Sequence, residues 1–208
     1  NFIGEILNNL RNQANLLTSE EASNLMTYDQ KLAFSPLNKE TPAVDNRVFL
    51  GAKAYYLKKL FLNNYPVPPG FVVTTEVFRR IHAIQKVASI NAEFDRILHR
   101  HLTGVEKFTG LKFGDPKRPL LLSVRSGSAI SMPGAMNTFL NVGLNDTITE
   151  QLSKQDNYAW TSWDCYRRLL QTWGMAHGLD RNDFDQIILN YKKKYGVTQK
   201  IEFTPDNM

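Results

Sequence analysis

Cysteine is nearly absent, with Cys165 alone among 208 residues. An internal disulfide is excluded, and a cysteine-based zinc site is left without a ligand set. Long apolar runs are also missing. No stretch approaches the roughly 20 apolar residues that carry a helix across a bilayer, so no membrane partner is expected. The N-terminal region lacks the charged-then-apolar pattern of a secretory signal, which makes a cytoplasmic location the expectation. No P-loop, dinucleotide-type glycine pattern or Ser-His-Asp order is present, and neither is a repeat or a low-complexity segment. His82, His99, His101 and His177 fall in helical patterns with no nucleophile or metal motif beside them. His99 and His101, two apart, point to different helix faces, and no metal-ligand set is expected.

What is there is ordinary for a globular protein: 42% hydrophobic and 22% charged residues, with a formal net charge of +5. The length suits one large domain or two small ones. A basic excess fits nucleic acid, but equally a small, highly anionic ligand such as a nucleoside triphosphate. The basic residues come in short scattered runs (Lys58-Lys59, Arg79-Arg80, Arg167-Arg168, Lys192 to Lys194), the pattern of solvated helix faces, and no nucleic-acid partner is expected. The sequence opens on Asn1 and closes on Thr204-Pro205-Asp206, a cap and first-turn pattern for a helix. It therefore reads as a fragment.

Apolar residues from Phe2 to Leu17 recur at helical spacing, and Thr18 with Glu21 forms a capping-box pattern for a helix running towards Phe34. Ser35 to Asn46, with two prolines, reads as a linker. Arg47 to Leu50 is short and apolar, and Gly51 leads from it into a helix that Pro66 to Gly70 breaks. Phe71 to Thr74 is expected as a strand. Thr75 is the expected cap of a helix with Val77, Ile81, Ile84 and Ala88 on one face, and a second helix carries Phe94 to Phe108. Leu120 to Val124 is expected as a buried strand and Thr138 to Val142 as another. From Asn145 the pattern turns helical: Thr147 and Glu150 make a capping-box pattern, and Trp163, Tyr166, Leu170, Trp173 and His177 form a stripe expected in the core. A last helix should stop at Gly196. The expected class is α+β, divided into residues 1–46 (helical extension and linker), 47–144 (α+β) and 145–208 (helical).

Two segments go beyond a bland domain. Lys53, in Gly51-Ala52-Lys53-Ala54 at an expected strand-to-helix junction, opposes the helix dipole in the first turn, and an anion there would satisfy lysine and free N–H groups together. The bland alternative is an exposed lysine. In Ser123-Val124-Arg125-Ser126-Gly127-Ser128 and on through Ser131-Met132-Pro133-Gly134-Ala135-Met136-Asn137-Thr138, Arg125 emerges from an apolar strand, where a partly desolvated guanidinium needs an anion. The loop behind it is rich in hydroxyls, glycines and N–H groups, the materials of a phosphate cradle. The alternative is an ordinary turn whose arginine pairs with a local carboxylate. Of Arg167 and Arg168, at least one can face inward, though a surface pair is the simpler reading.

The run from Lys112-Phe113-Gly114-Asp115 through Ser123-Val124-Arg125-Ser126-Gly127 to Ser131-Met132-Pro133-Gly134, then Asn141 to Asp146, resembles the nucleotide-binding domain of the pyruvate, phosphate dikinase family. Leu50-Gly51-Ala52-Lys53, the Pro66 to Thr75 segment and Cys165-Tyr166-Arg167-Arg168-Leu169 are similar to that family as well. The resemblance runs from about Phe49 to the end. It implies the front half of an ATP-grasp fold followed by a helical subdomain, with two halves closing over ATP. By position, Lys53 and Arg125 resemble the family's phosphate-contacting catalytic pair, Gly134 and Met136 its loop against the nucleotide, and Arg168 and, more loosely, Arg181 further cationic contacts.

The reaction so implied has three parts. ATP pyrophosphorylates a histidine on a separate domain of the full-length protein, phosphate takes the terminal phosphoryl group, and pyruvate takes the other to become phosphoenolpyruvate. Magnesium would accompany ATP, with its ligands expected outside this chain, so no metal residue is assigned. A homodimer is expected for the full-length form, and the fragment alone is expected to be inactive. The sequence departs from the family pattern at Ala52 and Ala54, where glycines are usual, at Ile130, usually arginine, and at Asn137, usually aspartate. Two alternatives follow: a water dikinase of the phosphoenolpyruvate synthase kind, or a non-catalytic nucleotide-sensing module.

Overall fold

The computed structural model describes Gly4, residues 17–127 and residues 137–207. The helix expected from Phe2 lies largely outside them. The chain divides into two units, one of residues 1–109 with 127–133, the other of residues 110–126 with 134–208. Both combine helices with small antiparallel strand pairs, so the class is α+β.

In the first unit the capping box at Thr18 forms as expected, with Thr18 and Glu21 each accepting the other's backbone N–H. The helix it starts, α1 (Ser19–Met26), is shorter than expected. A 3-10 turn at Gln30–Leu32 and strand β1 (Phe34–Pro36) replace its second half. Strand β1 pairs antiparallel with β2 (Phe71–Val73), Phe34 opposite Val73 and Pro36 opposite Phe71. The segment read as a linker is not a solvated connection: Ser35 and Val44 are completely buried. Its polar composition serves a buried hydrogen-bonded network with Lys58 instead.

Arg47 to Leu50 is also not the end of a strand. Asn46 accepts N–H bonds from Val48 and Phe49 and opens helix α2 (Arg47–Leu62), which kinks at Gly51 with φ 74° and ψ 160°. That backbone conformation is open to glycine and strained for other residues, so Gly51 is what lets one helical turn lead into the next at an angle. The helix expected from Thr75 is two, α3 (Thr75–Phe78) and α4 (Ile81–Lys86), and the first is capped by Thr74. The break holds Arg80, whose guanidinium bonds Asn24 O at 2.7 Å and Thr27 Oγ1 at 3.0 Å and pairs with Glu76 at 2.9 Å. The long α5 (Ala88–Thr109) follows. Leu25 of α1, Val77 of α3 and Ile84 of α4 are completely buried in one cluster, each contributing about 1.5–3 kcal/mol of apolar burial.

His101 of α5 lies 5.0 Å from the Phe34 ring and 5.4 Å from the Phe71 ring, centre to centre. Burial, and then the Arg100 charge, hold its pKa below the usual 6.5. As pH falls, the unfolded chain therefore takes up this proton before the folded one. The first unit should hold the full contribution above pH 6.5 and lose it progressively below that value. Thermal melts across this range should show the decline in the parent protein and a shallower one in His101→Phe.

In the second unit, β3 (Leu122–Arg125) and β4 (Thr138–Val142) form an antiparallel ribbon, Arg125 opposite Thr138, with a bulge between Leu122 and Val124. Leu120 is buried, but Val124 is 47% exposed, because a two-stranded ribbon leaves one face to solvent. Helix α6 (Asp146–Ser153) is capped by Asn145, whose side chain accepts from Ile148 N at 2.8 Å; the expected cap, Thr147, is already helical. Helices α7 (Ala159–Ala176) and α8 (Arg181–Tyr195) follow, the latter stopped by Gly196 at φ 67° as expected. The closing Thr204-Pro205 signal gives a 3-10 turn, Pro205–Asn207. Within this unit the aromatic stripe of α7 is only partly core: Trp173 packs on Phe139 at 5.4 Å yet stays 53% exposed, and Leu170 is 51% exposed.

Candidate functional site

Lys53 is on the first unit, two residues beyond the Gly51 kink, and its side chain is exposed. The kink starts the helix afresh, so the lysine stands in the opening turn of the segment that runs on to Leu62. Among the described residues it has no carboxylate within ion-pair distance. An unpaired cation beside a helix start leaves the local N–H groups and the ammonium available to one anion.

Arg125 is on the second unit, at the end of β3, and it too is exposed rather than partly desolvated. The ribbon is open on that side, so the strand does not bury its last residue. Its Nε donates to Ser123 Oγ at 3.0 Å, a neutral partner two residues back on the same strand, and no described carboxylate pairs with it. That contact orients the guanidinium without neutralising it. Just beyond β3, Ser126 Oγ donates to Asn137 O at 2.9 Å and ties the ends of β3 and β4 together. Gly134, Met136 and Ile130 lie outside the described residues.

The other two expected contacts are already engaged. Arg168 Nε donates to Asp164 Oδ2 at 2.6 Å, although 69% of its side chain is exposed. Arg181, 73% exposed, stands 3.9 Å from Asp185, a long pair that solvent screens. Asp164 is the residue that sequence reasoning missed. It is 5% exposed and also accepts from Arg167 Nε at 3.0 Å and Nη2 at 2.6 Å. Of the arginine pair, then, Arg167 turns inward and Arg168 outward, both held by one carboxylate. The signal was present in the chain, since an aspartate three and four residues before two arginines meets both on a helix.

Replacing Asp164 with Asn would leave the mostly buried Arg167 without a counter-charge. We expect the second unit to lose about 3 kcal/mol in urea unfolding, and a loss below about 1 kcal/mol would show that the pair is dispensable. Among the described residues, no three of His, Cys, Asp and Glu gather to hold a metal ion, and no helix is long and apolar enough to cross a membrane.

No protein-family model matches the chain. Curated proteins do. Pyruvate, phosphate dikinase of Rhizobium meliloti (strain 1021) is 36% identical over 163 residues, 78% of this chain and 18% of that protein. The enzyme of the same name from Clostridium symbiosum matches at 36% over 163 residues, again 78% and 18%. Pyruvate, phosphate dikinase 2 of Oryza sativa subsp. japonica matches at 40% over 156 residues, 74% of this chain and 17% of that protein. The chain thus spans less than a fifth of the length of these relatives.

Proposed function

Because most of this chain is sequence of the pyruvate, phosphate dikinase family, we propose that it is the front half of an ATP-grasp domain in which Lys53 and Arg125 contact the triphosphate of ATP. The observation that carries the proposal is the state of these two cations. Both are exposed, and neither has a carboxylate partner among the described residues. Arg80 and Arg167, whose side chains are mostly buried, are by contrast each bound to a carboxylate. A cation left unpaired at the end of a strand or start of a helix is positioned for an external anion.

In this reading Gly134 and Met136 lie against the nucleotide, and Arg168 and Arg181 supply weaker cationic contacts shared with Asp164 and Asp185. Phosphoryl transfer asks a protein chiefly for positioning and charge neutralisation, the two services these side chains offer. The proposed reaction of the whole protein is ATP, phosphate and pyruvate to AMP, diphosphate and phosphoenolpyruvate through a phosphohistidine on another domain. Magnesium ligands would come from outside this chain. A second reading, a non-catalytic nucleotide-sensing module, is favoured by Ala52, Ala54, Ile130 and Asn137, at positions where the resemblance gives the family other residues.

The test compares ligands with and without phosphates, titrated into the 208-residue chain and followed by NMR. ATP should bind weakly and adenosine at least about tenfold more weakly, with the ATP affinity falling as salt rises. Equal affinity for both, or no binding by either, contradicts the proposal.

A further inference from the structure

Gly51 is a hinge by its chemistry, since glycine crosses φ/ψ space at little cost, yet the lysine it presents would need a fixed direction to serve a triphosphate. The first unit contains a clamp across that hinge. Lys58, on the far side of the kink, is only 2% exposed. Its ammonium donates to Ser35 Oγ at 2.7 Å and to Thr41 Oγ1 at 3.3 Å, and it forms an ion pair with Asp45. Those three acceptors use all three of its N–H bonds. Asp45 in turn accepts from Thr41 N at 2.6 Å and from Ser35 Oγ at 3.1 Å.

Asp45 immediately precedes Asn46, the cap of α2, whereas Lys58 lies seven residues past the kink on the same helix. Their bond therefore closes a loop around Gly51. At 100° per residue, the five positions separating Lys53 from Lys58 turn the two side chains to nearly opposite faces, in keeping with one exposed and the other buried. A buried ion pair is a poor stabiliser beside an apolar pair of the same volume, but it permits only a narrow geometry. We propose that Lys58 and Asp45 are positioning residues for Lys53: they fix the Gly51 kink and with it the direction of the phosphate-binding lysine. This rests on the reading of Lys53 as an ATP contact.

The test is a double-mutant cycle in the 208-residue chain. Lys58→Met with Asp45→Leu replaces the charge pair by apolar side chains, and should keep the melting temperature within about 4 °C of the parent. Lys53→Gln should weaken ATP about tenfold in the parent and less than about twofold in the apolar background, where the lysine is no longer aimed. Backbone amides from Phe49 to Lys53 should also exchange hydrogen faster in the apolar background. An equal cost of Lys53→Gln in both backgrounds, or unchanged exchange, overturns the proposal.

If Lys53→Gln has no effect in the parent, the ATP reading of Lys53 fails, and the positioning role falls with it whatever exchange shows. Should the double variant fail to fold, Ser35→Ala, which removes one hydrogen bond from the ammonium, takes its place, with the same exchange and cycle readouts and a smaller shift.

Discussion

Leu25→Ala is expected to destabilise the first unit by about 3–5 kcal/mol, a large share of the 5–15 kcal/mol that holds a typical domain together. Leu25 is completely buried, on a helix whose start is fixed by the Thr18–Glu21 box. Its neighbours in the cluster, Val77 and Ile84, come from segments more than fifty residues later in the chain. Removing the side chain leaves a cavity that these short, mutually braced helices cannot close. Met26, 44% exposed one residue later, is the control, with an expected loss of under about 1 kcal/mol for Met26→Ala. Urea unfolding of both variants settles it. A small effect at Leu25, with β1 and β2 still protected from exchange, would mean that the α1 segment only decorates the unit.

Arg125→Ala is expected to weaken ATP binding by about ten- to a hundredfold, the equivalent of losing one or two charge-assisted hydrogen bonds. Among the described residues the guanidinium donates only to the neutral Ser123 hydroxyl, and no described carboxylate holds its charge. Truncation should cost little stability, because the side chain is exposed. Arg125→Lys should recover part of the affinity, since an ammonium keeps the charge but not the planar fork. Arg168→Ala should cost less, because Asp164 offsets that cation in the free protein. Titrations that rank these variants otherwise, with Arg168 dominant, would move the triphosphate away from β3.

What the sequence revealed follows from how far each signal reaches along the chain. The Thr18 box and the Gly196 stop involve residues within one turn of each other, and both were legible. The presence of β3 and β4 was legible from short local apolar segments, but the expected burial of β3 was not borne out. Ser35 to Asn46 was misread because its prolines and polar residues look the same whether they face water or a buried lysine. Only the fold brings Ser35 and Asp45 onto Lys58 from 23 and 13 residues away. Asn145 displaced Thr147 as the α6 cap because an asparagine two residues earlier caps at least as well. For the candidate site, the residue types at Lys53 and Arg125 were readable, whereas their lack of carboxylate partners among the described residues was not. Asp164 was within reach of a spacing argument, since its partners are three and four residues on.

The most direct measurement of the central claim follows backbone amides of the 208-residue chain during an ATP titration. If both cations serve one triphosphate, amides near Lys53 and near Arg125 shift together and fit a single dissociation constant. Shifts confined to one segment, or two segments saturating at different ATP concentrations, would contradict it.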